Sequence, residues 1–364
     1  MAVDIEKVKI TMIRNNLPLL NQMMKDLQDY KGSLGPGPYW LANQENTITW
    51  LSHNELSTFR QYDPTSKALG NFSGSSYWPN LDQRTQRSRE ISASFLYRLV
   101  RKLQLRPVLN AYNSLVREQI LPARLVSLYA QSLSQLIELK DTDSNFAKIE
   151  FYTEDQPSDL LVIQGKQLTP ISAEKFLLFL RLKEILKLQE LSTFVEIGPG
   201  AGQLNEIIAK VYPGCKQFLI DIPPQLYVTE LFLASMFGEA VMPYESSRTC
   251  FDFRSTTQTI YPIAPWIAEQ AELPKIDLFM SQIFEEMPHD TVADYLKLAR
   301  KWESRYVFVT TILSKHGEKA FSPAQYKAAL PEYELLYQEK SMPDSLPTPN
   351  GTTNPSYDLL FKRK

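Results

Sequence analysis

The sequence predicts an α/β protein in which a mainly helical N-terminal region precedes a seven-stranded, mostly parallel sheet covered by helices, with one antiparallel strand at its end. Three observations carry that prediction. From about residue 165 onward, helix and strand patterns alternate with short connections. A glycine-rich turn (Gly198, Gly200, Gly202) directly follows the apolar run TFVEI and opens a helical pattern. Before residue 165, apolar residues recur mainly at helical spacing.

Taken in order, Ile5, Val8, Met12, Ile13, Leu17, Leu20, Met23, Met24 and Leu27 predict an amphipathic helix or helix pair. Its apolar face needs a partner, which is either its own chain or a second subunit in a homodimer. Residues 31–90 are rich in Gly, Pro, Ser, Asn and aromatics and predict long loops with short helices. Helical patterning returns in SREISASFLYRLVRKLQL and from Val108 to Leu139. A loop and small hairpin around Gly165 form the joint, so a mainly helical domain is expected over 1–165 and the sheet domain over 166–364.

The sheet domain begins with a helix from about Ser172 to Gln189, then the strand TFVEIG, a helix through Leu204 to Val211, the strand QFLID and a helix from Pro224 to Phe237. A strand near TIYPIA, a helix around Pro265 to Ala271, the strand IDLFMS, the helix TVADYLKLARKW and the strand RYVFVTTI follow. A short helix opened by Ser322 and Pro323 leads to YELLYQE and YDLLFKRK, which read as an antiparallel pair.

Bulk properties narrow the function. The 364 residues exceed what one core usually organises, and 43% apolar with 22% charged content is that of an ordinary soluble protein. A formal charge of −2 without a basic tract predicts neither a nucleic-acid nor a membrane partner. Two cysteines, Cys215 and Cys250, exclude a disulfide framework and a zinc site built from several thiolates. Charged residues interrupt the N-terminal segment too early for a signal peptide, so a cytoplasmic location is expected.

VEIGPGAG is the most informative string, because glycines between a strand and a helix let a ligand approach bare backbone. Asp221 ends the next strand, at the separation expected of a carboxylate that accepts hydrogen bonds from ribose hydroxyls. Two details weigh against a dinucleotide. Gln203 stands where a third glycine would let the helix close behind a pyrophosphate. Glu196, just before the turn, would repel a diphosphate but could hold an ammonium group; capping local backbone amides is its structural alternative.

EIGPGAG, followed by FLIDIPPQL and DLFMSQIFEEMPHDTVADYL, resembles the class I S-adenosylmethionine-dependent methyltransferases, and more narrowly the sugar O-methyltransferase family. The resemblance covers residues 165–364 and implies a Rossmann-like sheet, S-adenosyl-L-methionine as cofactor and a small hydroxylated acceptor, a sugar or specialised metabolite. It implies that Glu196, Gly198, Pro199 and Gly200 line the methionine part, that Asp221 holds the ribose and Ile222 flanks the adenine, and that Ser281 and Gln282 face the methyl group. The adenine edge would also meet Ile263 and Ala264, with Asp252 as the rival. Carbon or nitrogen methylation and a non-catalytic binding module stay open.

For a hydroxyl acceptor, a general base near the methyl group would help. His289, with Glu286 and Glu285 in the same EEMPHD segment, are the candidates, although His289 equally suits a helix start. His316 could bind substrate, and His53 could reach the site only if the N-terminal half forms a lid. No metal-ligand spacing stands out. Tyr39, Trp40, Trp50, Tyr77 and Trp78 could cover a flat ligand or serve as core.

Overall fold

The computed structural model describes residues 13–60, 121–154, 160–187, 190–312, 321–340 and 356–364. Helix α1 (Leu17–Asp29) is capped by Asn16, whose side chain accepts from the Leu19 N–H, and it buries Leu19, Leu20, Met23 and Leu27. Helix α2 (Pro38–His53) follows, and α3 (Leu121–Lys140) leads to the hairpin of β1 (Leu161–Ile163) and β2 (Lys166–Leu168). Gly165, at φ +80°, makes that hairpin's turn.

Helix α2 corrects the expectation of long loops with short helices at Pro38–His53; residues 61–90 of that stretch lie outside the described residues. Pro38 at its first turn presets the helical φ, but the helix lacks a full apolar stripe. Thr47, Trp50 and Leu51 are buried in its second half, whereas Trp40 and Gln44 in its first half bind polar groups of Glu286 and Pro223. Periodicity therefore had little to register.

The sheet region begins with α4 (Pro170–Leu186), capped by Thr169, and continues through β3 (Thr193–Ile197), α5 (Gln203–Val211), β4 (Lys216–Ile220), α6 (Gln225–Phe237) and β5 (Ile260–Ile263). After a single helical turn at Pro265–Ala268 come β6 (Leu278–Ser281), α7 (His289–Lys301) and β7 (Tyr306–Ile312). Helix α8 (Pro323–Ala329), closed by a capping box between Ser322 and Gln325, precedes β8 (Tyr333–Lys340) and β9 (Ser356–Arg363).

The strand order is β5-β4-β3-β6-β7-β9-β8. Strands β3 to β7 pair in parallel and β9 runs antiparallel to both neighbours. The reversed strand is the last in the chain but not the last in the sheet, because it slots between β7 and β8. Strand β3 alternates between faces. Phe194 packs with Phe176, Ile207 and Ile208 under α4 and α5, and Val195 and Ile197 pack with Leu226, Leu233 and Val292 under α6 and α7. Leu20, Met23, Trp50 and Leu51 of α1 and α2 join the second of these cores, and Leu133 and Ile137 of α3 join the first.

Two consequences place the site. The chain leaves β3 toward β4 on one side and later returns to β6 on the other, so the order reverses between β3 and β6 and opens a crevice beyond their carboxyl ends. The register pairs Ile197 with Ile220 and with Ser281, and Ile220 with Ile263. Gly198, Asp221, Ala264 and Gln282 therefore leave four neighbouring strands at one level.

Candidate active site

The glycine turn begins as a continuation of the sheet, with the Gly198 N–H donating to the Ile220 carbonyl at 2.9 Å. Gly200 has φ +61°, and a Cβ placed on it would meet nothing within 4 Å, so this backbone borders open space. Gly202 has φ +87°, and a Cβ there would lie 3.0 Å from Leu233 Cδ1, so its bareness serves close packing of the turn on α6. The Thr229 hydroxyl of α6 donates to the Gly200 carbonyl and orients the turn. Ile283 lies over Gly198, where an added Cβ would collide with its Cδ1. Residue 283 therefore borders the turn, a placement the sequence did not signal.

Two buried carboxylates flank the turn. Glu196, 1% exposed, accepts from Asn205 Nδ2 at 2.9 Å. Burial pushes its pKa up to about 7, against the lowering effects of Lys175 and the Asn205 bond. Asp221, 8% exposed, accepts from the Ile222 N–H at 2.8 Å and from the backbone of Gly200, so its carboxylate faces the turn. Burial raises its pKa to about 8; the two backbone bonds oppose this, and the charges of Glu286 and Glu196 add to it. Two buried acids thus stand beside an open stretch of backbone, where a cation or hydroxyl donors would draw them toward the ionised form.

Lys175 of α4 adds a residue that sequence reasoning missed. Its ammonium donates to Gln282 Oε1 just past β6, and it interacts electrostatically with Glu196. Burial lowers its pKa, while Glu196 and Glu174 pull it back up. Helical patterning had marked α4 only as cover for the sheet, and no motif reaches back that far.

The segment from Tyr30 to Gln44 crosses the same edge. Tyr30 donates to Glu269 at 2.5 Å and packs on Trp266, beyond β5. The Thr291 hydroxyl of α7 donates to the Ser33 carbonyl at 3.0 Å. Trp40 Nε1 donates to Glu286 Oε2 at 3.1 Å, and Gln44 Nε2 reaches the Pro223 carbonyl at 3.5 Å. The start of α2 thus ties the loop after β4 to the loop after β6, like a strap over the crevice.

The remaining predicted residues divide into two groups. Ile222, Ile263, Ala264 and Ser281 are buried along the carboxyl edge, with the Asp221 N–H donating to the Ile263 carbonyl at 3.4 Å and the Ser281 hydroxyl donating to the Ile197 carbonyl at 3.3 Å. Asp252 is exposed, with its carboxylate in an ion pair with Arg254 at 2.8 Å, so Ile263 and Ala264 are the residues next to Asp221. The EEMPHD candidates separate as well. Glu286 faces Trp40 and acts electrostatically on Asp221, whereas Glu285 acts on Tyr326 of α8. The His289 ring packs edge-on against Phe321, with Nδ1 3.5 Å from Gln325 Nε2. Glu286 thus acts on one of the two buried acids, Asp221, and His289 opens α7. His53 is exposed at the end of α2, with Nδ1 2.8 Å from the Thr49 carbonyl, and Trp50 is core. His316, Tyr77, Trp78 and the Tyr39 side chain lie outside the described residues. Among the described residues no group of three or more His, Cys, Asp or Glu side chains could hold a metal, and no helix is long and apolar enough to cross a membrane.

No family model matches the chain, and no curated protein matches its sequence. Similar solved structures do exist. The N-methyltransferase NodS from Bradyrhizobium japonicum WM9, in complex with S-adenosyl-L-homocysteine, aligns at 12% identity and TM-score 0.36 over 64% of this chain and 98% of that one. Magnesium protoporphyrin IX methyltransferase from Synechocystis PCC 6803, with bound SAM, aligns at 9% identity and TM-score 0.34 over 64% and 97%. The mitomycin 7-O-methyltransferase MmcR aligns at 13% identity and TM-score 0.33 over 63% of this chain and 60% of its own. The alignment likewise spans 58% of the pyocyanin biosynthetic protein PhzM. With scores of this size, the strand order and the site residues themselves carry the argument.

Proposed function

We propose that this chain is an S-adenosylmethionine-dependent methyltransferase acting on a hydroxyl of a small acceptor, a sugar or a specialised metabolite. The observation that carries the reading is the pair of buried carboxylates, Glu196 and Asp221, on either side of the open Gly200 backbone at the point where the strand order reverses. The donor set fits such a cofactor. In this reading Asp221 accepts from ribose hydroxyls, Glu196 balances the positive end of a methionine moiety, and Ile222, Ile263 and Ala264 border an adenine; the burial of all five at one edge of the sheet supports it. A nicotinamide dinucleotide suits the site less well, because Gln203 is 2% exposed at the helix start and two acids face the place of a diphosphate.

When bound, the cofactor supplies a methyl group already activated by a sulfonium, so alignment is the protein's main task. Ser281 and Gln282 hold the end of β6 level with the turn, and Ile283 closes the space above Gly198. Glu286, held by Trp40, is the group we assign to take the acceptor's proton. The strap from Tyr30 to Gln44 keeps water from the crevice and forms one wall of the acceptor space.

The test is isothermal calorimetry with S-adenosylhomocysteine. The folded protein is expected to bind it, and Asp221→Ala to weaken binding at least about tenfold through the lost charge-assisted bonds. A well-folded wild type that shows no binding refutes the proposal. Screening hydroxylated, amine and carbon acceptors with labelled cofactor then tests oxygen as the methylated atom. Cofactor binding without transfer to any pool would favour a non-catalytic module.

A further inference from the structure

The donor-site reading leaves Lys175 unexplained. A half-buried lysine close to a buried carboxylate ordinarily pairs with it directly. Here the direct partner is the neutral amide of Gln282, at 2.5 Å, and Glu196 is felt through space while bonding to Asn205. The geometry is specific. Lys175 comes from α4 on one face of the sheet, Gln282 from the end of β6, and Glu196 from the end of β3, so both charges lie at the two strands that bound the crevice. One positive and one negative group, each with a neutral amide as its hydrogen-bond partner, are what a zwitterionic amino-acid head requires. Its carboxylate meets the lysine and its ammonium meets the glutamate.

Resting on the donor reading above, we infer that Lys175 binds the α-carboxylate of the donor's methionine moiety, with Gln282 holding the ammonium in place, so the site selects nucleoside donors that retain an intact amino-acid end. An alternative role, in which Lys175 merely offsets the buried charge of Glu196, predicts no discrimination by the carboxylate. A helix residue 21 positions before Glu196 carries no sequence signature for this task.

The experiment compares three nucleosides by calorimetry: S-adenosylhomocysteine, its decarboxylated analogue bearing a 3-aminopropyl thioether, and 5′-methylthioadenosine, which lacks the amino-acid end altogether. Wild type is expected to bind S-adenosylhomocysteine about 10- to 100-fold tighter than the decarboxylated analogue, the range of one charge-assisted hydrogen bond. Lys175→Met should erase that difference and leave 5′-methylthioadenosine binding unchanged, and Lys175→Arg should restore most of it. Equal wild-type affinity for the first two ligands overturns the inference, and that comparison needs no variant to fold. An equal loss for all three ligands in Lys175→Met also overturns it, because the lysine would then be supporting the site's shape. If wild type binds no nucleoside at all, the donor reading itself has failed, a result distinct from binding that ignores the carboxylate.

Discussion

Raising the pH from 6 to 8.5 should tighten donor binding, and the raised carboxylates set the size of the effect. Glu196 has its midpoint at about 7 and Asp221 at about 8, both lifted by burial. One unit below its midpoint a carboxylate is about one-tenth ionised, and two units below, about one-hundredth. If the bound state requires Glu196 charged, binding at pH 6 is weakened about 10-fold relative to the plateau, and a charged Asp221 adds a factor of about 100. Lys175, lowered by burial, sets the alkaline limit, since its neutral form no longer attracts a carboxylate. Folding should show the opposite slope. A carboxylate whose folded pKa is raised contributes stability below its unfolded pKa and loses it as pH rises through the folded value. For Glu196, at 1% exposure and lifted from 4.5 to about 7, the difference is about 3 kcal/mol. Calorimetry with S-adenosylhomocysteine at half-unit steps, in two buffers of different ionisation enthalpy, measures both affinity and protons released. Glu196→Gln should remove its share of the slope and leave that of Asp221. An affinity that is flat from pH 6 to 8.5, or proton uptake on binding, refutes the electrostatic account of this site.

Gly200→Ala and Gly202→Ala should separate binding from folding. At Gly200 the added methyl enters open space, so the fold is kept at a cost of about 1 kcal/mol for the positive φ, while affinity for S-adenosylhomocysteine drops. At Gly202 the methyl meets Leu233 at 3.0 Å, so the denaturant midpoint should fall by an amount worth about 1–3 kcal/mol on top of the backbone strain. A Gly202 variant as stable as wild type contradicts the packing role. Trp40→Phe removes the N–H that holds Glu286 at 3.1 Å and should lower turnover about tenfold with S-adenosylhomocysteine affinity nearly unchanged; equal effects on both would make Trp40 a structural part of the donor site. Arg181→Met removes the guanidinium that lies 3.2 Å from the buried Asp358 carboxylate, which keeps its bond from the Thr310 hydroxyl, and a loss of about 3–5 kcal/mol in chemical denaturation is expected.

These perturbations also show why parts of the molecule were legible in sequence and others were not. The parallel core could be read because each strand is short, apolar and followed by a helix, and because the step from Ile197 to Gly198 changes the local chemistry abruptly within one residue. Asp221 could be singled out by its separation from the glycine turn, and Glu196 because an acid just before that turn disfavours a diphosphate. What escaped were contacts between elements distant in the chain. Lys175 reaches Gln282 across 107 positions and Trp40 reaches Glu286 across 246, and no local pattern encodes which helix face ends beside which strand end. Helix α2 was missed for the same reason, since its first half is fixed by hydrogen bonds to Glu286 and Pro223 instead of by an apolar stripe. The EEMPHD segment lies between these cases. Its position after β6 could be predicted, but the separation of Glu286 from Glu285 and His289 depends on a single 3-10 turn over Phe284–Glu286, which sends adjacent side chains to opposite neighbours. In such a turn a one-residue difference decides whether a carboxylate meets the crevice or the α8 side, so Glu286→Gln should lower turnover far more than Glu285→Gln although the two residues are chemically identical.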